Sequence, residues 1–348
     1  MPPPSVDIIV PVWNNTFETR ACLASILQHS PEARLIVVDN GSSRETELML
    51  EEFSEPLGNE GLFIKSERNL GLVPAINIGL ARSDGDCAVI LRPHVRVTGG
   101  WLGGLLAACQ APHAGIVSPL FCGSGAPDFI PITSGCSLME TFDVSFSALA
   151  LMGEMHRLLG GFDEGMDNGE WCLKDYVRRA WSKGYHTCIT SRSLVVCGEE
   201  TVFGSDERRR QQSTFSRDSF MERWGIGRHY AIYFGRDSAA AALSDSIETI
   251  VESARQGYRF TLLLHRRQAA DFQRLGWNAR HTGIELVRLS PLMPQRDLLR
   301  RLAALQAAVP EVIAVRGPDG SPFPGAETAI PFEELAAAIG QNTISNLN

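Results

Sequence analysis

Two stretches of this chain place chemistry-capable side chains where a ligand could meet them. Arg92-Pro93-His94 ends a continuously apolar run, Cys87 to Leu91. Such a run is the mark of a parallel strand covered on both faces, and open α/β sheets bind ligands beyond the carboxyl ends of their strands. The triplet therefore delivers a guanidinium, whose planar fork suits phosphate oxygens, and an imidazole, whose ordinary pKa lies near 6.5. The proline fixes the backbone between them. Asp39 likewise ends the apolar run Leu35 to Val38 and precedes Asn40-Gly41-Ser42-Ser43. A carboxylate there can grip a ribose or base edge, or cap the helix that runs through Leu48.

Elements that would hold these groups can be read in order. Val6 to Val12 is a first buried strand, and the helix after Asn15 or Thr16 carries Cys22, Leu23, Ile26 and Leu27 on one face. Strands at 33–39, 62–66 and 87–91 alternate with helices, which means a mostly parallel sheet with right-handed crossovers. A short strand at 115–119 leads into about 25 residues rich in Gly, Ser, Pro and Thr, expected as a loop over the site. Residues 147–152 return to the sheet. From Gly235 the pattern restarts. Helices at 247–254, 268–275, 298–308 and 332–339 alternate with strands at 260–264, 284–289 and 312–315, a small α/β unit of ordinary domain size.

Composition narrows the class of protein. The chain has 348 residues, 44% hydrophobic and 21% charged, with a formal net charge of -8. That balance is ordinary for a globular protein of two domains and argues against a nucleic-acid binder. Lysine occurs only as Lys65, Lys174 and Lys183, which we attribute to a GC-rich coding sequence. The eight cysteines lie between Cys22 and Cys197 without a Cys-x-x-Cys pair, so buried free thiols of a reducing compartment are expected. Met1-Pro2-Pro3-Pro4 begins no signal peptide, and the nearly apolar run 144–152 is too short to span a bilayer. The expectation is a cytoplasmic protein, at most touching the inner face of the membrane. Val12-Trp13-Asn14-Asn15-Thr16 contains no Gly-x-Gly-x-x-Gly fingerprint, which excludes an NAD-type dehydrogenase.

Several short motifs together carry a resemblance. Val10-Pro11-Val12-Trp13-Asn14, Val38-Asp39-Asn40-Gly41-Ser42, Arg68-Asn69-Leu70-Gly71, Asn77-x-Gly79, Gly85-Asp86 and Gly160-Gly161-Phe162-Asp163-Glu164 occur in this order. Over residues 5 to 230 the chain resembles the inverting family 2 glycosyltransferases of the GT-A fold. The resemblance implies a Rossmann-like, mostly parallel sheet with helices on both faces, and a nucleotide-diphosphate sugar as donor. Donor-binding positions would be Pro11, Val12, Asn14, Asp39, Gly41, Asn69, Gly71 and Asn77, joined by Arg92 and His94. The acceptor hydroxyl would belong to a glycan, a lipid-linked molecule or a protein.

The chain departs from that family at two places. The family ends its fourth strand with Asp-x-Asp or Asn-Pro-Asp, whose last aspartate holds Mn²⁺ or Mg²⁺; Arg92 and His94 stand at the carboxylate positions here. The histidine the family often supplies before a glycine, as a further ligand, corresponds to Cys197-Gly198. Hard divalent cations want oxygen ligands, so no metal ligand and no cofactor is assigned. The family also places its catalytic base in Glu-Asp-x-Asp. Here Asp175 and Arg179 fit the end of that motif, while Cys172-Leu173 or Glu170-Trp171 fall at the acidic pair. Glu170 is the first base candidate and Asp175 the second; both could instead be surface or capping carboxylates of a helix start.

The resulting expectation is a GT-A-like domain over 1–236 and a smaller α/β domain of open role over 237–348. The activity expected is inverting transfer of a hexosyl or deoxyhexosyl group in cell-surface polysaccharide or glycoconjugate synthesis. The alternative is a degenerate domain that binds a nucleotide sugar or glycan without turnover. Arg208, Arg209, Arg210, Arg217, Arg223 and Arg228, beside Phe215, Phe220 and Trp224, could meet an anionic lipid surface, or form a solvated helix face. Homo-oligomerisation is left open. Cys172, Cys188, Cys197, His94 and His186 lack the spacing of a zinc site.

Overall fold

The computed structural model describes residues 4–128, 132, 133, 135–200, 205–236, 238 and 243–345. The chain divides into two compact units, one of Met1–Ile130 with Asp143–Phe220, the other of Pro131–Phe142 with Met221–Asn348. In the first unit the elements are β1 (Val6–Val12), α1 (Thr16–His29), β2 (Arg34–Asp39), α2 (Arg44–Ser54), β3 (Gly61–Lys65), α3 (Leu72–Leu80), β4 (Cys87–Leu91), β5 (Val95–Val97), α4 (Trp101–Cys109) and β6 (Ala114–Cys122). After β7 (Leu138–Glu140), which falls in the second unit, come β8 (Ala148–Met152), α5 (Gly153–Leu159), α6 (Glu170–Ser182) and β9 (His186–Cys197). The polar helix α7 (Asp206–Trp224) follows.

The strands of the first unit lie in the order β3-β2-β1-β4-β8-β6-β9-β5, with helices packed against them. β1 pairs in parallel with β2 and β4, β2 with β3, and β6 with β9; β8 and β5 run antiparallel to their neighbours. β1 and β4 are buried along their whole length, as their unbroken apolar sequence requires when both faces are covered. The one charge inside β1, Asp7, is satisfied completely. It takes Arg34 Nε and Nη2 at 2.7 and 3.0 Å, the Ser83 hydroxyl at 2.8 Å, and the amides of Asp84 and Gly85 at 3.0 Å. These bonds tie β1 and β2 to the turn that starts β4. Gly79 lets α3 approach that sheet: a Cβ there would sit 2.4 Å from Ile9 Cγ2.

In the second unit β7 is followed by β10 (His229–Tyr233), α8 (Ser244–Arg255), β11 (Arg259–Leu264), α9 (Arg266–Arg274), β12 (Ile284–Arg288), α10 (Pro294–Ala308), β13 (Ile313–Arg316), β14 (Ile330–Pro331) and α11 (Phe332–Ser345). Its sheet is wholly parallel, in the order β12-β11-β10-β13-β14, so the chain winds outward from β10 in both directions. Tyr230, Ile232 and Phe234 face one core with Ile250, Phe260 and Phe272, while Ala231 and Tyr233 face the other with Leu298 and Leu302.

Two expectations about this region need correction. The boundary at 236/237 falls after β10, yet β10 is the central strand of the second sheet; the longer stretch of that unit runs from Met221. The Gly- and Ser-rich stretch was expected as a loop over the site, but its residues 131–142 belong to the second unit. There Arg255 donates to Glu140 at 2.6 and 2.8 Å, and Thr282 and Thr141 hydroxyls bond at 2.8 Å. Residues 129–131 and 134 of that stretch lie outside the described residues. None of the eight cysteines is in a disulfide, and among the described residues no helix is long and apolar enough to cross a membrane.

Candidate active site

A cleft of about 470 Å³ opens at the carboxyl ends of β1, β2 and β4, wholly within the first unit. Pro11, Val12 and Trp13 enter it from β1, Asn40 from β2, and Arg92, Pro93 and His94 from β4. Asn69 and Gly71 come from the turn before α3, Asp167 to Gly169 from the turn before α6, and Arg209, Gln212 and Ser213 from α7. Glu18, Glu199 and Glu200 complete its charged groups. Placement at strand ends is what an open α/β sheet predicts.

The wall formed by β2 and the turn before α3 is stitched by one amide. Asn40 Oδ1 accepts the Leu70 N–H at 2.9 Å, and its Nδ2 donates to Asn69 Oδ1 and to the Gly71 carbonyl, both at 3.0 Å. Gly41 makes this approach feasible, since it has φ of +72° and a Cβ would lie 2.4 Å from the Arg68 carbonyl carbon. Asp39 and Asn14 support the wall from behind. Asp39 accepts the Ser42 amide at 3.0 Å, and Asn14 Oδ1 accepts the Ser43 amide at 2.7 Å; neither residue lines the cleft. Asp39 thus serves the turn leading into α2.

Of the expected donor-binding residues, Pro11, Val12, Asn69, Gly71, Arg92 and His94 are brought together on the cleft. Asn77 is not among the lining residues. Its side chain accepts the Phe162 amide at 2.9 Å and donates to the Phe162 carbonyl at 2.9 Å and Glu164 at 2.8 Å. It clamps α3 to the turn at Gly161, whose Cβ would lie 2.6 Å from Asn77 Oδ1.

Neither expected base lines the cleft. Asp175 is fully buried and bonded to Arg179 Nε at 2.9 Å, while Arg179 donates onward to the carbonyls of Leu159 and Gly161. The pair fastens α6 to the preceding turn, away from the cleft lining. Glu170 sits in the first turn of α6 with 60% of its side chain exposed, paired with Lys174 and outside the lining. The carboxylate that does line the cleft beside α6 is Asp167. Its Oδ1 accepts the amides of Trp171 and Cys172 at 3.0 Å, and its own amide donates to Ser216 of α7 at 2.8 Å. Burial raises its pKa above the ordinary aspartate value, against the lowering effect of those amides.

At the end of β4, Arg92 Nη2 meets Glu200 Oε1 at 2.7 Å, while Arg92 Nε is buried with no partner among the described residues. The Gly198 amide donates to the His94 carbonyl at 2.8 Å, and Val95 pairs with Cys197. The two altered motif positions noted in the sequence, Arg92/His94 and Cys197-Gly198, are therefore neighbours in space. The His94 imidazole can supply a hydrogen bond or, when protonated, a second charge. Burial, with the Arg92 charge second and Glu200 opposing, lowers its pKa to about 4. It is neutral near pH 7, so the charge is withdrawn and the hydrogen bond remains.

The chemistry of this corner does not suit a divalent ion. A guanidinium has no lone pair to give, Glu200 is engaged by it, and the Cys197 thiol is pushed up to about 11 by burial. Among the described residues, no group of three or more His, Cys, Asp or Glu is arranged to hold a metal ion.

Sequence reasoning missed Trp13, Asn40, Asp167, Glu200 and Arg209. Two carboxylates directly after the end of β9 were a usable signal for Glu200. The arginine cluster was another, since α7 sends Arg209 into the cleft. α7 ends at Trp224, so Arg228 lies beyond it; Phe220 is buried and Phe215 is exposed.

Comparison with known proteins bears on the fold and the family. The model of Glycosyl transferase family 2 matches residues 7–136. Glycosyltransferase AglE of Haloferax volcanii is 32% identical over 95 residues, 24% of this chain and 31% of that protein. Polypeptide N-acetylgalactosaminyltransferase 13 of Rattus norvegicus is 29% identical over 122 residues, 34% of this chain and 22% of that protein. The chain thus spans a third or less of these relatives. Among solved structures, GalNAc-T7 with UDP, GalNAc and Mn²⁺ superposes with a TM-score of 0.53 at 17% identity, over 64% of this chain and 49% of that one. The mannosyltransferase PcManGT of Pyrobaculum calidifontis with GDP-Man and Mn²⁺ gives 0.50 at 15%, over 99% and 87%. The fold is that of the GT-A glycosyltransferases, and the family match supports a family 2 glycosyltransferase.

Proposed function

We propose that this protein moves a sugar from a nucleotide-diphosphate donor to an acceptor hydroxyl with inversion, without a divalent metal. The observation that carries the reading is that one cleft at the strand ends holds both a cation, Arg92, and a partly desolvated carboxylate, Asp167. In a single displacement the acceptor oxygen bonds to the anomeric carbon as the bond from that carbon to the diphosphate oxygen breaks. The electron pair leaves with the nucleoside diphosphate, and the acceptor proton passes to a base. Asp167 takes that proton, its raised pKa suiting it to the task. Arg92 faces the departing diphosphate, where negative charge grows. The structural neighbours hold UDP with GalNAc, and GDP-Man, each with Mn²⁺, which supports a nucleotide sugar as the ligand class. The transferred group would be a hexose or deoxyhexose and the product a cell-surface polysaccharide or glycoconjugate. Exposed Arg208, Arg210 and Arg217 of α7 suit contact with an anionic inner membrane face.

A second reading, a binding module without turnover, is favoured by the Arg92–Glu200 pair, which offsets the cation at the site. Steady-state kinetics of Asp167→Asn and Glu170→Gln separate the two. With Asp167 as base, Asp167→Asn lowers kcat by about 10²–10⁴-fold and leaves donor binding intact, whereas Glu170→Gln matches the parent. Parent-like turnover in Asp167→Asn rejects this base. A parent inert toward every nucleotide sugar and acceptor tried favours the module.

A further inference from the structure

We infer that Ser147 fixes the ring proton of His94 on Nδ1, so that His94 offers the cleft a neutral N–H donor for an anionic oxygen. This deepens the transferase reading and rests on it for the identity of the oxygen, that of the donor diphosphate.

His94 Nε2 lies 3.2 Å from Ser147 Oγ. Ser145 sits two residues earlier, and its hydroxyl donates to Ser147 Oγ at 3.1 Å, while the Ser147 amide donates to Ser145 Oγ at 3.1 Å. Ser147 Oγ is thereby already an acceptor, and its own hydrogen remains to be placed. Given to His94 Nε2, that hydrogen completes every bond in the chain Ser145 to Ser147 to His94. Placed the other way, with Nε2–H donating to Ser147, the Ser147 hydrogen has only Ser145 Oγ within reach among the described residues, and the Ser145 hydroxyl already donates to Ser147. Ser147 is buried, and a buried hydroxyl hydrogen without an acceptor is costly. The neutral ring carries one hydrogen, so it lies on Nδ1.

Nδ1 faces the right way. His94 lines the cleft, and among the described residues Nδ1 has no hydrogen-bond partner and is not a buried orphan atom. The whole assembly is held in register by the backbone, since the Arg92 amide donates to the Ser147 carbonyl at 3.0 Å and Leu91 pairs with Ala148. One serine therefore places both Arg92 and His94. Beside a guanidinium already engaged by Glu200, a neutral donor strengthens an anion site without burying a further charge. Ser147 is a positioning residue, acting through His94.

The test begins on the metal-free, full-length parent without ligand, using nitrogen-correlated NMR of histidine rings, with His94 assigned from His94→Gln. The inference predicts a proton on Nδ1 of His94, lost in part in Ser147→Ala and kept in Ser147→Thr. A proton on Nε2 in the parent overturns it. Titration with UDP and with GDP in excess EDTA then reads the role. Ser147→Ala should bind about three- to tenfold more weakly, the worth of one net hydrogen bond, and Ser147→Thr should recover. Equal binding by parent and Ser147→Ala overturns the role of His94 while leaving the transferase reading intact. A parent that binds neither nucleotide overturns the transferase reading itself, and with it the diphosphate as partner of His94, even where NMR finds the proton on Nδ1.

Discussion

Removing the Arg92 side chain is the perturbation whose size can be worked most closely from the structure. In the cleft Arg92 is paired with Glu200 at 2.7 Å, with the two side chains 20% and 39% exposed. A pair so open to solvent is worth about 0.2–1 kcal/mol, so it competes only weakly with a diphosphate for the guanidinium. The contact to the diphosphate, a hydrogen bond to a charged group, is worth about 1.5–3 kcal/mol. Arg92→Ala should therefore weaken a nucleotide-sugar donor by about 10- to 150-fold. Left alone, Glu200 would add repulsion, so Arg92→Ala/Glu200→Gln should recover part of the loss. Glu200→Gln by itself frees the guanidinium and should tighten binding by up to about fivefold, the upper worth of the pair. Arg92→Lys keeps the charge but not the fork and should fall between parent and alanine. Isothermal titration with the donor in excess EDTA reads all four variants. Arg92→Ala binding within about twofold of the parent, well below the hydrogen-bond range, would refute the reasoning, as would loss of parent binding on chelation.

Two further outcomes follow from the packing. Asp7 has its pKa lowered because the hydrogen bonds from Arg34, Gly85 and Ser83 outweigh burial, the largest single influence. Its stabilisation is thus fully present above its unfolded value, about 3.9, and is lost as pH falls through the lower folded value; acid unfolding of Asp7→Asn, followed by circular dichroism, should be flatter below that pH than in the parent. Asp175→Asn should lower stability by about 2–4 kcal/mol, since it leaves Arg179 without its buried partner, and urea melts that match the parent would contradict the structural role given to that pair.

How much of this could be seen in the sequence depended on whether the signal was local. β1, β2 and β4 were legible because each is a continuous apolar run that only a doubly covered strand explains, and Arg92 and His94 followed as strand-end residues. The Asp175–Arg179 pair was legible as a helical i,i+4 spacing, but the spacing alone does not say whether the pair faces a cleft or a core. Burial decided that. Asn77 carried a motif and proved to be a clamp, because its partners at 162 and 164 are distant in sequence. Asp167 was invisible for the same reason: it lies in an aperiodic turn, and Ser216, which holds its backbone, is 49 residues away. β10 was passed over because the restart of the α/β pattern was placed at Gly235, just past the end of that strand at Tyr233.

The central claim is that this cleft carries out inverting sugar transfer with Arg92 in place of a divalent ion. Proton NMR of the anomeric signal, recorded on parent protein with nucleotide-sugar donors and an acceptor panel in excess EDTA, tests it most directly. The account predicts that one donor is consumed, that the product linkage has the opposite anomeric configuration, and that chelator does not change the rate. Retention of configuration, or transfer that stops on chelation and returns with Mn²⁺, would contradict it.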